Sequence, residues 1–289
     1  MDILVLGGTR FMGVHLVKYL LVAGYQVTIA TRGKTPDKFG DQVHRITLDR
    51  DSADSIAHAL KDRSFDVVYD SNAYCSNHVK YLLDVVKCKR YIAISSLSVY
   101  PQIKNQLVEA DFDPISYPLK WCGREDFTYD EIKRQAESAI FQAYPHLPSV
   151  AVRFPYVIGK DDYTKRLYFY VEHVVKSIPM YVDNLDEKMA FVHSCEAGEF
   201  LSWLADQAFY GTINAASDGQ VSLLEIIQYV EDKVGKRAIF SEDGKRAPYN
   251  GTPAYSMDLG KAEAIGFAFS KLDTWLYALL DAHIAEAQK

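Results

Sequence analysis

The sequence predicts an α/β fold, a doubly wound parallel sheet with a small C-terminal lobe interleaved with it. Three observations carry this. Short β-branched runs alternate with longer amphipathic stretches through the first half of the 289 residues. Several runs are apolar on both faces, as strands covered by helices on either side must be. A glycine-rich turn directly follows the first run. In chain order the strands are Ile3–Leu6, Val27–Ala30, Val43–Leu48, Val67–Asp70, Tyr91–Ser95 and Val150–Arg153. Between them the amphipathic stretches Phe11–Val22, Ser52–Leu60, Asn77–Val86 and, after a long loop, Asp126–Ala143 read as helices. In the less regular second half Thr164–Lys176, Cys195–Asp206, Ser222–Val234 and Lys271–Ala287 read as helical, and Ala190–His193 and Thr212–Ala216 as extended. Residues 1–154 therefore form the core, 190–217 return to it, and 155–189 and 218–289 build the lobe.

Composition narrows the function. With 48% apolar and aromatic residues and 24% charged, the chain is ordinary globular material. A formal net charge of −6 disfavours nucleic acid as a partner, because phosphate contacts call for a basic face. The four cysteines form no CxxC pair and the eight histidines no HxxxH pair, so neither a metal site nor a disulfide framework is expected and a reducing cytoplasm fits. No stretch approaches the ~18 apolar residues of a membrane span. The start, Met1-Asp2-Ile3-Leu4, has an acid second and glycines soon after, unlike a secretory signal. The expectation is a soluble, cytoplasmic protein without membrane or metal partners.

Gly7-Gly8-Thr9-Arg10-Phe11-Met12-Gly13 joins the first strand to the first helix. Glycine there permits a tight turn and close approach of backbone to a pyrophosphate. The helix N-terminus offers unpaired N–H groups and partial positive charge, and Gly13 lets helix and strand pack closely. At the first βα turn of an alternating chain this predicts a dinucleotide site. An acid about 20 residues on would accept from an NAD ribose hydroxyl. The second strand is instead followed by Thr31-Arg32-Gly33-Lys34, with no acid before Asp37. Arg32 together with Arg10 suits a 2′-phosphate, so NADP is expected in preference to NAD; the bland alternative is two solvated arginines.

Tyr129 and Lys133 stand at i and i+4, on one face of a helix. A lysine ammonium beside a phenol favours the phenolate, and such a tyrosine exchanges a proton with a substrate hydroxyl. The spacing alone is cheap: 20 tyrosines and 20 lysines give one or two such pairs by chance, and four occur. Pro101 lies inside the Tyr100/Lys104 pair, Gly159 inside Tyr156/Lys160, and Tyr229/Lys233 lies far beyond the sixth strand. Only Tyr129/Lys133 falls on a long helix between the fifth and sixth strands, after the hydroxyls of Ser95-Ser96-Leu97-Ser98.

Taken in order, these segments resemble the extended short-chain dehydrogenase/reductase family, in its NAD-dependent epimerase/dehydratase branch, nearly end to end. The turn at 7–13 is similar to the family's GxxGxxG, Ser95–Tyr100 to its SSxxVY strand end, 129–133 to its YxxxK helix, and Arg153–Gly159 to its RPxxVYG exit. Phe191-Val192-His193 and Thr212–Ala216 resemble later family segments. The resemblance implies a Rossmann-type core and a small-molecule substrate, with Tyr129 as acid/base, Lys133 lowering its pKa and Ser96 bonded to the reacting oxygen. It further implies Asp49 against the adenine, Ser71, Asn72, Ala73 and Ser95 over the cofactor, and Pro155 and Tyr156 near the nicotinamide. The implied reaction is hydride transfer at a secondary alcohol or keto carbon, of a sugar nucleotide or related metabolite. A homodimer through helices equivalent to 77–86 and 126–143 is implied as well. Arg166 and Tyr163, where the lobe begins, are candidate substrate residues. Two departures matter. Arg10 stands where the family has its middle glycine, as in an atypical GGTRFxG subset that includes chloroplast RNA-binding proteins. Leu97-Ser98 stands where sugar-nucleotide dehydratases have Asp-Glu, so dehydration of that type is not expected. The alternative reading is a catalytically silent NADP-binding regulator or RNA-associated protein.

Overall fold

The computed structural model describes residues 1–289. In its first half, strand β1 (Asp2–Leu6), helix α1 (Met12–Val22), strands β2 (Gln26–Thr31) and β3 (Val43–Thr47), helix α2 (Ala53–Leu60), strand β4 (Ser64–Asp70), helix α3 (Ser76–Leu83) and strand β5 (Lys87–Ser96) follow one another. After a long loop come α4 (Tyr129–Ser138), continued as a π turn over Ala139–Ala143, and β6 (Ser149–Phe154). Every strand expected in the first half is present, one to five residues longer or shorter than its apolar run.

The remaining elements are β7 (Tyr156–Ile158), α5 (Arg166–Val175), β8 (Met180–Tyr181), β9 (Lys188–Met189), β10 (Phe191–His193), α6 (Ser194–Trp203), β11 (Gly211–Asn214), β12 (Val221–Ser222), α7 (Leu223–Val234), β13 (Lys245–Arg246), α8 (Gly260–Ala264) and α9 (Asp273–Ala287). Seven strands form one parallel sheet in the order β11-β6-β5-β4-β1-β2-β3. The order reverses between β1 and β4, and their carboxyl ends frame the crevice where such sheets bind ligands.

The period of two along a strand explains the two-sided core. Ile3 and Val5 pack with Leu16, Leu20 and Phe200 on the α1/α6 side. Leu4 and Leu6 pack with Ile56, Leu82 and Ile140 on the α2/α3/α4 side. A third core, with Tyr170, Ile226 and Leu280, fills the lobe between α5, α7 and α9. The segment around α8 departs from the expected division, since Ala262 and Phe269 join the α1/α6 side of the sheet core. Residues 259–269 thus return to the first half from within the range assigned to the lobe.

The segment 113–123 runs as a strap along α3 and α4. Ser76 Oγ donates to the Lys120 carbonyl at 2.7 Å and accepts from Cys122 N–H at 2.8 Å. Gln135 Nε2 donates to the Pro118 carbonyl at 3.1 Å and its Oε1 accepts from Lys120 N–H. Gln142 Nε2 donates to the carbonyls of Pro114 and Tyr117, both at 2.6 Å. No helix is long and apolar enough to cross a membrane.

Candidate active site

Residues 7–13 form the floor of a cleft of about 440 Å³ at the point where the strand order reverses. Gly7 and Gly8 sit at φ 107° and 89°, in the left-handed half of backbone space that side chains avoid. A Cβ added at Gly13 would meet Gly8 Cα at 3.0 Å, so α1 can start this close to β1 only without one. The walls are Arg10, Arg32, Asp49, Ser71 and Asn72, with Lys34, Arg50, Asp51, Tyr74, His78 and Arg124. Of the residues expected on the cofactor, the whole 7–13 turn, Arg32, Asp49, Ser71 and Asn72 are therefore gathered in one place.

The floor is held by a buried network. Asp70, at the end of β4, is fully buried and takes an ion pair from Arg50 Nη2, a hydrogen bond from Tyr91 Oη at 2.9 Å and one from Asn72 N–H at 3.0 Å. His78 links the Asn72 carbonyl at 3.0 Å to Asp51 Oδ1 at 2.8 Å; burial and then Arg50 depress its pKa. Arg50 Nε and Nη1 and the Ser71 hydroxyl are buried without partners. Unsatisfied donors beside a side-chain-free cradle fit a polar nucleotide. At the outer end Arg10 Nε and Nη2 donate to Thr35 Oγ1 at 3.2 and 2.9 Å. Its guanidinium also lies 5.4 Å from the Tyr163 ring, which meets Phe11 edge-on at 6.3 Å. Tyr163, expected with the substrate, thus lines the nucleotide cleft.

Tyr129 opens α4, 52% exposed. Its pKa is raised, chiefly by burial of the hydroxyl end and then by neighbouring Tyr74; the Ser96 hydroxyl, Arg166 and Arg124 act in the opposite sense. Ser96 also accepts from Ser98 N–H at 3.2 Å, capping a short 3₁₀ turn at the end of β5. Lys133 is buried one turn along the helix, its ammonium donating to the carbonyls of Ala73 at 2.8 Å and Ile94 at 2.7 Å. Burial lowers its pKa from 10.5 to about 8, against the pull of Glu137 and Asp70. The ammonium is thus turned toward the carbonyls of β5 and of the loop after β4, and the cations acting on the Tyr129 phenol are Arg166 and Arg124.

Other expected residues support this geometry from behind. The Ala73 carbonyl holds Lys133. The buried Ser95 hydroxyl donates to Glu137, which also receives Arg153 Nη2 at 2.6 Å and Nε at 3.1 Å. Arg153, fully buried, donates in addition to the carbonyls of Glu109 at 2.8 Å and Phe112 at 3.0 Å, locking α4 to the end of β6. Pro155 is buried at that strand exit. Tyr156 belongs to an aromatic wall, with its ring 4.6 Å from Tyr249 and its hydroxyl 3.0 Å from Thr252 Oγ1. The Arg166 guanidinium lies 5.2 Å from that ring. Tyr74, Arg50, His78 and Arg124 were not singled out from sequence. The first three adjoin or follow segments that were, whereas Arg124 sits in an aperiodic loop whose one signal is the alternation Lys120-Trp121, Arg124 and Phe127.

Comparison with known proteins agrees with this architecture. A UDP-glucuronic acid 4-epimerase from Bacillus cereus, solved in complex with NAD, superposes with a TM-score of 0.73 at 19% identity, covering 98% of this chain and 96% of that one. A UDP-glucose 4-epimerase from Thermotoga maritima, solved with UDP-glucose, superposes with a TM-score of 0.75 at 14% identity over 100% of both chains. At such identities the likeness speaks for the fold. In sequence, chloroplast stem-loop binding protein of 41 kDa b from Arabidopsis thaliana is 36% identical over 112 residues, 34% of this chain. That match spans only 30% of the relative's length. The model of the NAD dependent epimerase/dehydratase family matches residues 3–216, and the chain belongs to that family.

Proposed function

We propose that this protein is a nicotinamide-dependent oxidoreductase or epimerase acting at a secondary alcohol or keto carbon, of a sugar nucleotide or related metabolite. What supports the reading is Tyr129 with the Ser96 hydroxyl, Tyr74 and Arg124 acting on its phenol, the last two of which line the nucleotide cleft, and Lys133 buried one turn along the same helix. Residues 7–13, Asp49, Ser71 and Asn72 would hold the dinucleotide. Arg10 and Arg32, with Lys34, suit a 2′-phosphate and favour NADP. The chemistry that the cofactor supplies when bound is acceptance or return of a hydride. Tyr129 Oη removes the substrate hydroxyl proton as the carbinol C–H electron pair departs, and returns it in reduction. Ser96 Oγ donates to the reacting oxygen and orients it. The raised pKa keeps the phenol protonated at neutral pH, which suits the reducing direction, where it acts as the acid.

Two measurements test this. Fluorescence titration with NADPH and NADH should give tighter NADPH binding, lost in an Arg10→Ala/Arg32→Ala double variant; equal affinities would remove the NADP preference. Tyr129→Phe should bind cofactor normally and lose roughly 10²–10⁴-fold in turnover, the usual span of a general acid/base. Full activity in that variant would remove the assignment. The stretch shared with the chloroplast stem-loop binding protein supports a second reading, an RNA-associated protein. Its signature would be salt-sensitive RNA binding without hydride transfer. The net charge of −6 weighs against it.

A further inference from the structure

We propose that Thr35 and Tyr163 set the preference for NADP by fixing the Arg10 guanidinium as the receiver of the 2′-phosphate, so that the lobe takes part in the choice of cofactor. This deepens the reading above and rests on it for the NADP site. Thr35 follows β2 by four residues, Tyr163 lies between β7 and α5, and both line the cleft with Arg10. Arg10 spends one edge inside the chain, where its Nε and Nη2 both donate to Thr35 Oγ1, at 3.2 and 2.9 Å. A guanidinium carries five N–H donors in a planar fork. That bond therefore leaves a second pair, one hydrogen each from Nη1 and Nη2, for bidentate contact with an anion. The Tyr163 ring centroid lies 5.4 Å from the guanidinium carbon, so the group is held by a hydroxyl at one edge and by a ring. Neither partner is a carboxylate, and the charge of Arg10 stays available to a ligand.

Tyr163 is 63% exposed, yet its loop is tied to the start of α1 at two points one helical turn apart. Its ring meets Phe11 edge-on at 6.3 Å, and four residues along, His15 Nε2 bonds Asp161 Oδ2 at 3.0 Å. Ser194 Oγ, at the start of α6, donates to the other Asp161 oxygen at 2.6 Å. Phe11 itself sits at φ 52° and ψ −139°, a backbone conformation that side chains avoid. Such a conformation persists only where the surroundings over-determine it, and the Tyr163 ring is one of the contacts that do so. The ring and the turn thus hold each other, with Arg10 beside both. NADH presents no 2′-phosphate to this group, so a misplaced guanidinium costs affinity for NADPH alone. Thr35 and Tyr163 are in this sense positioning residues that act through Arg10.

The test is the ratio of the NADH to the NADPH dissociation constant, read by fluorescence titration of the full chain. Arg10→Ala should reduce that ratio roughly tenfold or more, as loss of a charge-assisted bond requires. Thr35→Val and Tyr163→Ala should each reduce it by roughly three- to tenfold and leave the NADH constant unchanged. Thr35→Ser and Tyr163→Phe, which keep the hydroxyl and the ring, should retain the ratio of the unaltered chain. In an Arg10→Ala background neither Thr35→Val nor Tyr163→Ala should move the ratio further, because no guanidinium is left to place. An unchanged ratio in either single variant overturns the proposal and leaves the NADP site standing, as does a further fall without Arg10. Equal weakening of both cofactors also overturns it, since the two residues would then only shape the cleft. Equal affinity of the unaltered chain for NADPH and NADH removes the NADP reading itself, and the proposal with it.

Discussion

Tyr129 and Lys133 share a helix face yet answer to different surroundings. The phenol feels Tyr74, Ser96, Arg124 and Arg166, and the ammonium is sunk among carbonyls. A lysine whose folded pKa is about 8 against an ordinary 10.5 carries its charge at a cost in the folded state. The sign follows from proton counting: between those values the unfolded chain binds the extra proton, so stability rises with pH across the window and is flat below it. The full difference amounts to about 3 kcal/mol. Replacing Lys133 by Met removes that rise, while the two orphaned carbonyls cost the variant a pH-independent amount. Urea unfolding of both proteins from pH 7 to 10.5 reads the difference. Parallel curves would show that Lys133 titrates normally and that its burial does not perturb it. Position and spacing made both residues visible in the sequence, but the direction in which the ammonium turns depends on carbonyls contributed by residues 73 and 94.

At the scale of elements, the α1/α6 crossing holds the nucleotide half together. Gly198 lies where the two helices touch, and an added Cβ would come within 2.5 Å of His15 Cβ and 2.7 Å of Leu16 N. One of these is backbone, so the helices must separate. Gly198→Ala should destabilise by about 3 kcal/mol, the upper part of the range for overpacking. It should also loosen cofactor binding, because α1 begins at the glycine turn. An unchanged melting temperature would mean that the crossing has slack. Periodicity made both helices legible, since each is ten or more residues long with a continuous apolar face. The parallel pairing of β7 with β10, and the pairs β9/β12 and β8/β13, were not legible as sheets. Strands of two or three residues show no period, and their partners lie 32 to 65 residues away. The 113–123 strap escaped for a related reason, being ordered by side chains of α3 and α4 that bond its backbone.

For the molecule as a whole, the strap decides what α3 and α4 can offer to another protein. A stable dimer buries roughly 800 Å² per partner, with apolar contacts at its centre. Along α4 only Tyr129, at the first turn, is exposed, and along α3 only Lys80, which pairs with Asp84 at 2.6 Å. The outward side chains Glu131, Gln135 and Gln142 are engaged with Tyr117 and with the backbone of the strap. A second copy would therefore meet the strap, which exposes Ile115 and Trp121, or would have to displace it, breaking its bonds to Ser76, Gln135 and Gln142. The homodimer implied by the family resemblance would thus rest on the strap as much as on α3 and α4; the prediction is a monomer of 32.7 kDa at micromolar concentration. Light scattering behind a sizing column checks the mass. A species of twice that mass would require another face, or a strap that leaves α4 in solution. Hydrogen exchange separates those two outcomes, because the Cys122 amide, donated to Ser76 in the closed arrangement, would exchange fast only if the strap had left.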